Sequence, residues 1–219
     1  MATILGIDEA GRGAVIGPLV MVGVMIDEDK EELLRDIKVR DSKMLTPSQR
    51  DSLYHQITNI AKDYFVIKIS AKEIDEFRKV KNLNVIEAEK MAEIIRVLKP
   101  DIAIVDAPQV STEKFKHYLL ALAKNHTRII SENKADAKYP VVSAASIIAK
   151  VERDAEIDKI KKQVGADFGV GYSHDERTIK FLEQLMEENS EFPDFVRKSW
   201  ITAIDIKGKK KQKSLSDYQ

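Results

Sequence analysis

The sequence predicts an α/β layer fold with a mixed sheet, and three observations carry that prediction. Short apolar runs rich in β-branched residues alternate with segments of helical period. The first two runs, residues 4–7 and 19–26, are separated by a glycine-rich stretch and read as a hairpin before the alternation begins. At 219 residues and 43% hydrophobic content, the chain can bury one substantial core, with room for a small second unit.

The elements follow in order. Residues 4–7 (ILGI) read as a buried strand that ends in Asp8 and Glu9, and residues 19–26 (LVMVGVMI) as its partner. Residues 31–38 suit a short helix, followed by the polar loop Asp41-Ser42-Lys43. Thr46-Pro47 places a capping threonine before a proline at the first helical position, so a helix to about residue 61 is expected. Residues 64–69 (YFVIKI) give a third strand. Residues 82–99 give a helix with Val85, Ala88, Ala92 and Ile95 on one face, closed by Pro100. A buried strand over residues 101–108 carries Asp106 at its end; a helix over 112–124 and a short strand over 128–130 come next. Residues 131–139 read as a polar loop containing Asp136. Pro140 opens a long helix with Val141, Ala144, Ile148, Val151 and Ala155 along one stripe. A glycine loop over 165–172 precedes helical patterns at 176–188 and 192–198. Residues 207–219 lack apolar periodicity and read as a flexible basic tail.

Composition narrows the class. No apolar run approaches a membrane span, and no basic lead precedes an apolar block, so a soluble, cytoplasmic protein is expected. Zero cysteines exclude disulfides and thiolate metal sites. The charges balance at 36 against 36, so affinity for nucleic acid has to come from local patches. The charged fraction of 33% with no cysteine weakly hints at a thermophile.

The chemistry lies in carboxylates at the ends of apolar strands. Apolar strands do not normally carry acids inward, because a buried charge needs a cation or hydrogen-bond donors. Adjacent strand residues face opposite sides, so Asp8 is the candidate divalent-metal ligand, with Glu9 beside it where the strand loosens. Asp106 and Asp136 are the distant partners. Two unit charges about 4 Å apart repel by roughly 4 kcal/mol at an effective dielectric near 20, so converging acids require cations. Oxygen donors without nearby histidine or cysteine suit Mg²⁺ or Mn²⁺, and four carboxylates suit a two-metal phosphodiester cleavage. A lone strand-end aspartate is more often a turn or cap residue than a ligand, and Asp136 could serve the loop before its helix. Gly11, Arg12 and Gly13 let backbone N–H groups approach a phosphate or sugar closely. A dinucleotide loop is rejected there, since Pro18 and a strand follow where a helix must open.

GIDEAGRG, DSK, IAIVDAP, KADAKYPVVSAASIIAKVERD and GVGY, in that order, resemble type 2 ribonuclease H (ribonuclease HII) in its archaeal form, across nearly the whole chain. The resemblance implies a ribonuclease-H-like mixed five-stranded sheet with flanking helices plus a C-terminal helical segment. The catalytic domain would cover residues 1–205, including C-terminal helices from about 175, with the tail at 206–219. It implies cleavage of the RNA strand of RNA–DNA hybrids and nicking 5′ of ribonucleotides embedded in duplex DNA, leaving 5′-phosphate and 3′-hydroxyl ends. Asp8, Glu9, Asp106 and Asp136 are then the metal-binding catalytic acids. Gly11, Arg12 and Gly13 read the ribose 2′-OH, the group that separates RNA from DNA, and Tyr172 stacks on the following sugar. The segment YSHDERT departs from the usual family wording, which has proline after the tyrosine. Lys43 is either a phosphate contact or a solvated loop lysine; Ser143 and Ser146 touch substrate or serve helix packing. His174 and Trp200 are structural.

Gln212, Leu215 and Tyr218 resemble the sliding-clamp binding peptide of replication proteins, lacking its second aromatic because Gln219 stands there. Lys209, Lys210 and Lys211 would attract DNA or an acidic clamp surface, or simply keep the tail soluble. Two competing functions are a clamp-recruited module that binds hybrids without cutting, and a DNA-directed nuclease of the same superfold.

Overall fold

In the computed structural model the described residues are 1–39, 45–107 and 111–216, with side chains described to residue 210. The chain divides into two units: residues 1–10, 20–68 and 82–152, and residues 11–19, 69–81 and 153–219.

The first unit holds the sheet. β1 (Thr3–Ala10) and β2 (Leu19–Asp27) pair antiparallel from Thr3 against Asp27 to Ala10 against Val20, so the expected hairpin forms. β3 (Asp63–Ile69) lies beyond β2. β4 (Ile102–Asp106) joins β1 in parallel, and β5 (Arg128–Glu132) joins β4 in parallel, giving the order β3-β2-β1-β4-β5. This is the mixed five-stranded sheet that the resemblance implied.

The helices start where the sequence marks them. α1 (Glu31–Asp36) is short. α2 (Pro47–Ile60) opens on Thr46, whose hydroxyl accepts from the Gln49 N–H while Gln49 returns a bond to the Thr46 N–H. α3 (Ala71–Arg78) belongs to the second unit and is absent from the sequence reading. Its signal was present: Ser70 and Glu73 form a capping box, but the segment is only eight residues long, with Ile74 and Phe77 as its large apolar residues. α4 (Leu83–Leu98) is capped by Asn82, and α5 (Thr112–Ala123) follows β4.

Two further expectations change after β5. The polar loop expected over 131–139 is partly ordered: β5 takes Ser131 and Glu132, and α6 (Ala135–Lys138) takes Asp136. α7 (Pro140–Val164) is the long helix, but its predicted stripe holds only in part. Val141, Ala144 and Ile148 are buried, Val151 is half-buried and Ala155 is exposed. Residues 141–149 are buried all round the helix, so no single stripe exists there, and the buried positions further on are Arg153 and Ile157.

Close packing fixes both faces of the sheet. A Cβ on Gly6 would sit 2.4 Å from the Val141 carbonyl carbon, so α7 lies directly against β1. On the opposite face, a Cβ on Gly23 would meet Ile94 of α4 at 2.3 Å. Ile4, Val22, Val24 and Ile104 share one core with Val141, Ala145 and Ile148. The face that carries Ile4, Gly6 and Asp8 of β1, and Ile102, Ile104 and Asp106 of β4, is therefore the α7 face.

The second unit has its own core of Val15, Ile16, Ile157, Phe168, Leu182, Met186, Phe192, Val196, Ala203 and Ile206. It includes α8 (Glu176–Glu188) and α9 (Ile201–Ser216). The helix expected at 192–198 does not form. Val196 instead makes an antiparallel bridge with Ile16, a distant partner that local periodicity cannot show. Part of the segment expected as a tail without apolar periodicity is helical, since α9 continues to Ser216. Ala203 and Ile206 anchor its start in the core, lysine and glutamine are good helix formers, and Lys210 donates to the carbonyls of Met186 and, at 2.9 Å, Asn189.

Candidate active site

β1 and β4 deliver the first two acids. Ile7 pairs with Val105 in the parallel ladder, so the next position on each strand sets Asp8 alongside Asp106, both on the α7 face. Asp8 is 7% exposed. Its Oδ1 accepts the Glu9 N–H at 2.8 Å, and its carboxylate accepts a hydrogen bond from the Ser146 hydroxyl of α7. Lys150, one turn on, donates to Ser146 Oγ at 2.7 Å. Burial pushes the Asp8 carboxyl up to about 6; the bonds from Ser146 and Glu9 oppose the rise, the Asp106 charge adds to it, and Lys150 opposes it.

Asp106 reaches the third acid through the backbone. Its Oδ1 accepts the N–H of Ala135 at 3.3 Å, and Asp136 is the next residue, half-buried in α6. Glu132 stands beside Asp106 in the β4–β5 ladder but is engaged elsewhere. Lys138 donates to it, as does the Tyr139 hydroxyl at 2.8 Å, and these bonds hold its carboxyl below the ordinary value. Among the described residues, no three acidic or histidine side chains converge closely enough to hold an ion by themselves. The structure brings Asp8 and Asp106 together and links Asp136 to them through one amide; Glu9 joins through its backbone.

The donor set fits a hard divalent cation. A buried carboxylate facing a second one gains from a dication what it lost in water. The remaining coordination positions suit water and phosphate oxygens, which Mg²⁺ retains readily.

Ser146 and Lys150 are functional candidates of different standing in the sequence: Ser146 was weighed there, Lys150 was missed. Their signal was the i, i+4 spacing on α7, which sets both on one helix face. Ser143 serves packing, since its hydroxyl donates to the Val39 carbonyl. Lys43 lies outside the described residues.

The second unit holds the glycine loop. Gly11 has φ +84, and a Cβ there would lie 2.5 Å from the Pro18 carbonyl oxygen, so no other residue fits. The N–H groups of Val15 and Ile16 donate to the Gly171 carbonyl at 2.9 and 3.1 Å. This joins the Gly11–Gly13 loop to the glycine loop that carries Tyr172, whose Cε1 lies 3.9 Å from where a Gly13 Cβ would be. The Arg153 guanidinium stacks over the Tyr172 ring at 4.8 Å and donates to the Val170 carbonyl. The His174 ring also stacks on Tyr172, with centroids 5.4 Å apart. Asp175 accepts from Val170 N–H at 3.0 Å and is gripped by Arg177, which holds its carboxyl down to about 2.

Arg197 was not found from the sequence. It is fully buried and donates to three carbonyls, Gly11 at 2.7 Å, Arg12 at 2.9 Å and Gly17 at 3.1 Å. Trp200 lies between two guanidiniums, Arg78 at 4.6 Å and Arg197 at 4.7 Å from its ring centroid.

The family model for Ribonuclease HII matches residues 5–203. Ribonuclease HII of Pyrococcus furiosus is 47% identical over 219 residues, which is 97% of this chain and 96% of that protein. The chain belongs to the ribonuclease HII family. It is a ribonuclease H enzyme. The crystal structure of the ribonuclease H2 from Pyrococcus horikoshii is similar at a TM-score of 0.91 and 45% identity, covering 96% of this chain and 99% of that one. The Archaeoglobus fulgidus ribonuclease HII, solved in a complex with PCNA, is similar at a TM-score of 0.85 and 44% identity, over 90% of this chain and 95% of that one. Among the described residues, no helix is long and apolar enough to cross a membrane.

Proposed function

We propose that this ribonuclease H is a two-metal endonuclease that cuts the RNA strand of RNA–DNA hybrids and nicks duplex DNA 5′ of an embedded ribonucleotide, leaving 5′-phosphate and 3′-hydroxyl ends. The observation that carries the reading is the buried Asp8 set beside Asp106 at the ends of adjacent parallel strands. Asp8, Glu9, Asp106 and Asp136 would hold the ions. Mg²⁺ or Mn²⁺, when bound, supplies the charge that lowers the pKa of the attacking water and steadies the leaving oxygen.

The chain's own residues orient and select. Ser146, backed by Lys150, fixes the Asp8 carboxylate by a hydrogen bond. Gly11, Arg12 and Gly13 read the ribose 2′-OH, Tyr172 stacks on the following sugar, and Lys43 contacts a phosphate. Residues 1–205 form the catalytic region, and the protein acts in the cytoplasm.

The tail supports a second interaction. Gln212 and Leu215 are three apart on the backbone of α9, as a helical anchor requires, and Tyr218 follows outside the described residues. We assign them to a sliding clamp, a reading supported by the Archaeoglobus relative solved with PCNA.

The test uses three duplexes with Mg²⁺ or Mn²⁺: one embedded ribonucleotide, an RNA–DNA hybrid, and all-deoxy. Cutting of the first two, with the nick on the 5′ side of the single ribonucleotide, is expected. Equal cutting of the all-deoxy duplex would make the enzyme a DNA-directed nuclease, and binding of hybrids without any cutting would reduce it to a binding module.

A further inference from the structure

We infer that Arg197 is the positioning residue that sets the backbone of the Gly11–Gly13 loop for ribose recognition, by holding its carbonyls inward so that its amide N–H groups face out. The inference rests on the assignment of that loop to the 2′-OH.

The geometry is that of a trans peptide, in which N–H and C=O point in opposite directions. No cis peptide bond occurs among the described residues. The Gly11 carbonyl shares its peptide with the Arg12 N–H, and the Arg12 carbonyl shares its peptide with the Gly13 N–H. Both carbonyls accept from the Arg197 guanidinium, at 2.7 and 2.9 Å. The N–H groups of Arg12 and Gly13 are therefore aimed away from the buried side chain. Arg197 is 0% exposed, whereas Gly13 is exposed, so the outward direction is the solvent side. Two successive amides aimed one way make a donor pair suited to a hydroxyl or phosphate oxygen.

Only arginine supplies this arrangement. Its planar fork presents donors in fixed directions, and here Nε, Nη1 and Nη2 each serve a different carbonyl. The backbone of the same residue adds a fourth link, Arg197 N–H to the Val15 carbonyl at 2.9 Å. Lysine could reach one or two of these oxygens but could not fix the peptide planes. Burial lowers the guanidinium to about 9, with Tyr172 and Asp75 acting the other way and Arg153 and Arg78 adding to the fall. The group stays charged at neutral pH, and the Trp200 ring covers one of its faces.

The test is the affinity ratio between a duplex with one ribonucleotide and the same duplex all-deoxy, measured by fluorescence anisotropy with Ca²⁺ so that no cutting intervenes. The wild type should favour the ribonucleotide about tenfold, the scale of one well-made hydrogen bond. Arg197→Lys should bring the ratio close to one while leaving affinity for the all-deoxy duplex within about twofold of wild type. A purely structural role would lower both affinities together and keep the ratio. A ratio that stays near ten in Arg197→Lys would overturn this inference alone. A wild-type ratio near one would overturn the 2′-OH assignment and this inference with it. Should Arg197→Lys fail to fold, the wild type decides by NMR: the Arg12 and Gly13 amide signals should shift with the ribonucleotide duplex and not with the all-deoxy one, and identical shifts would overturn the inference.

Discussion

The acid-bearing strand ends of the first unit and the glycine loop of the second are held by opposite means. Asp8 and Asp106 are placed by sheet register, and their mutual charge works against the fold. The Gly11–Gly13 loop has no ladder to place it and is tied down by a buried cation bonded to neutral carbonyls. The lesson is that rigidity has different costs in the two regions. In the first unit the buried carboxylates work against the fold, a cost that a bound cation would offset. In the second the supporting group stabilises the loop, and removing it exposes the loss at once.

The largest effect should separate the two regions. Asp106→Asn should lower the rate of nicking by about 10²–10³-fold or more, the scale for losing one preorganised electrostatic group. It should leave the metal-free protein as stable as wild type or more so, because a like charge facing Asp8 is gone. Thermal melting and single-turnover nicking on the same preparation check both halves.

Gly11→Ala should do the reverse in order of cause. The Cβ would meet the Pro18 carbonyl oxygen at 2.5 Å in a φ +84 backbone, so stability should fall by roughly 1–3 kcal/mol. Activity should fall with it, and urea unfolding measures the first term. A variant that keeps wild-type stability would show that the loop yields more easily than this geometry allows.

How far the sequence reached follows the same division. The strands, the hairpin and the long helix were legible because β-branched apolar runs and a helical period persist over many residues. Asp8 and Asp106 stood out as candidates because each is an acid at the end of an apolar run, whereas Asp136, inside a polar loop, was pointed to by the motif resemblance. Arg197 was not legible, because its partners Gly11, Arg12 and Gly17 lie about 180 residues away in sequence and nothing local marks an arginine as buried. The turns over 192–198 were misread for the same reason: the partner of Val196 is Ile16. α3 was missed although Ser70 and Glu73 announced it, since its face is mostly solvated.

Acid sensitivity gives a smaller contrast. Asp175 sits below its ordinary value because of Arg177 and the Val170 N–H, so its contribution is present above the unfolded value of 3.8 and is lost as pH falls through about 2. Asp175→Asn should flatten the melting curve across that acid window by lowering stability at neutral pH, so that variant and wild type differ most near pH 7 and converge near pH 2. The smallest effect is expected from the tail: Tyr218→Ala should weaken capture by a sliding clamp while the nicking rate on short duplexes stays within about twofold of wild type. Unaltered capture would remove the clamp from the account.

The most direct measurement is the melting temperature of metal-free protein across pH 4 to 8, repeated with Mn²⁺. Asp8 stands at about 6 in the fold against 3.8 ordinarily, so it favours the fold below the unfolded value and ceases to do so as pH rises through the folded one. Metal-free wild type should therefore lose up to roughly 3 kcal/mol between pH 4 and 7. Mn²⁺ should restore that loss, and Asp8→Asn should show neither the fall nor the rescue. An Asp8→Asn protein that still shows both would contradict the claim that this buried carboxylate is where the cation acts.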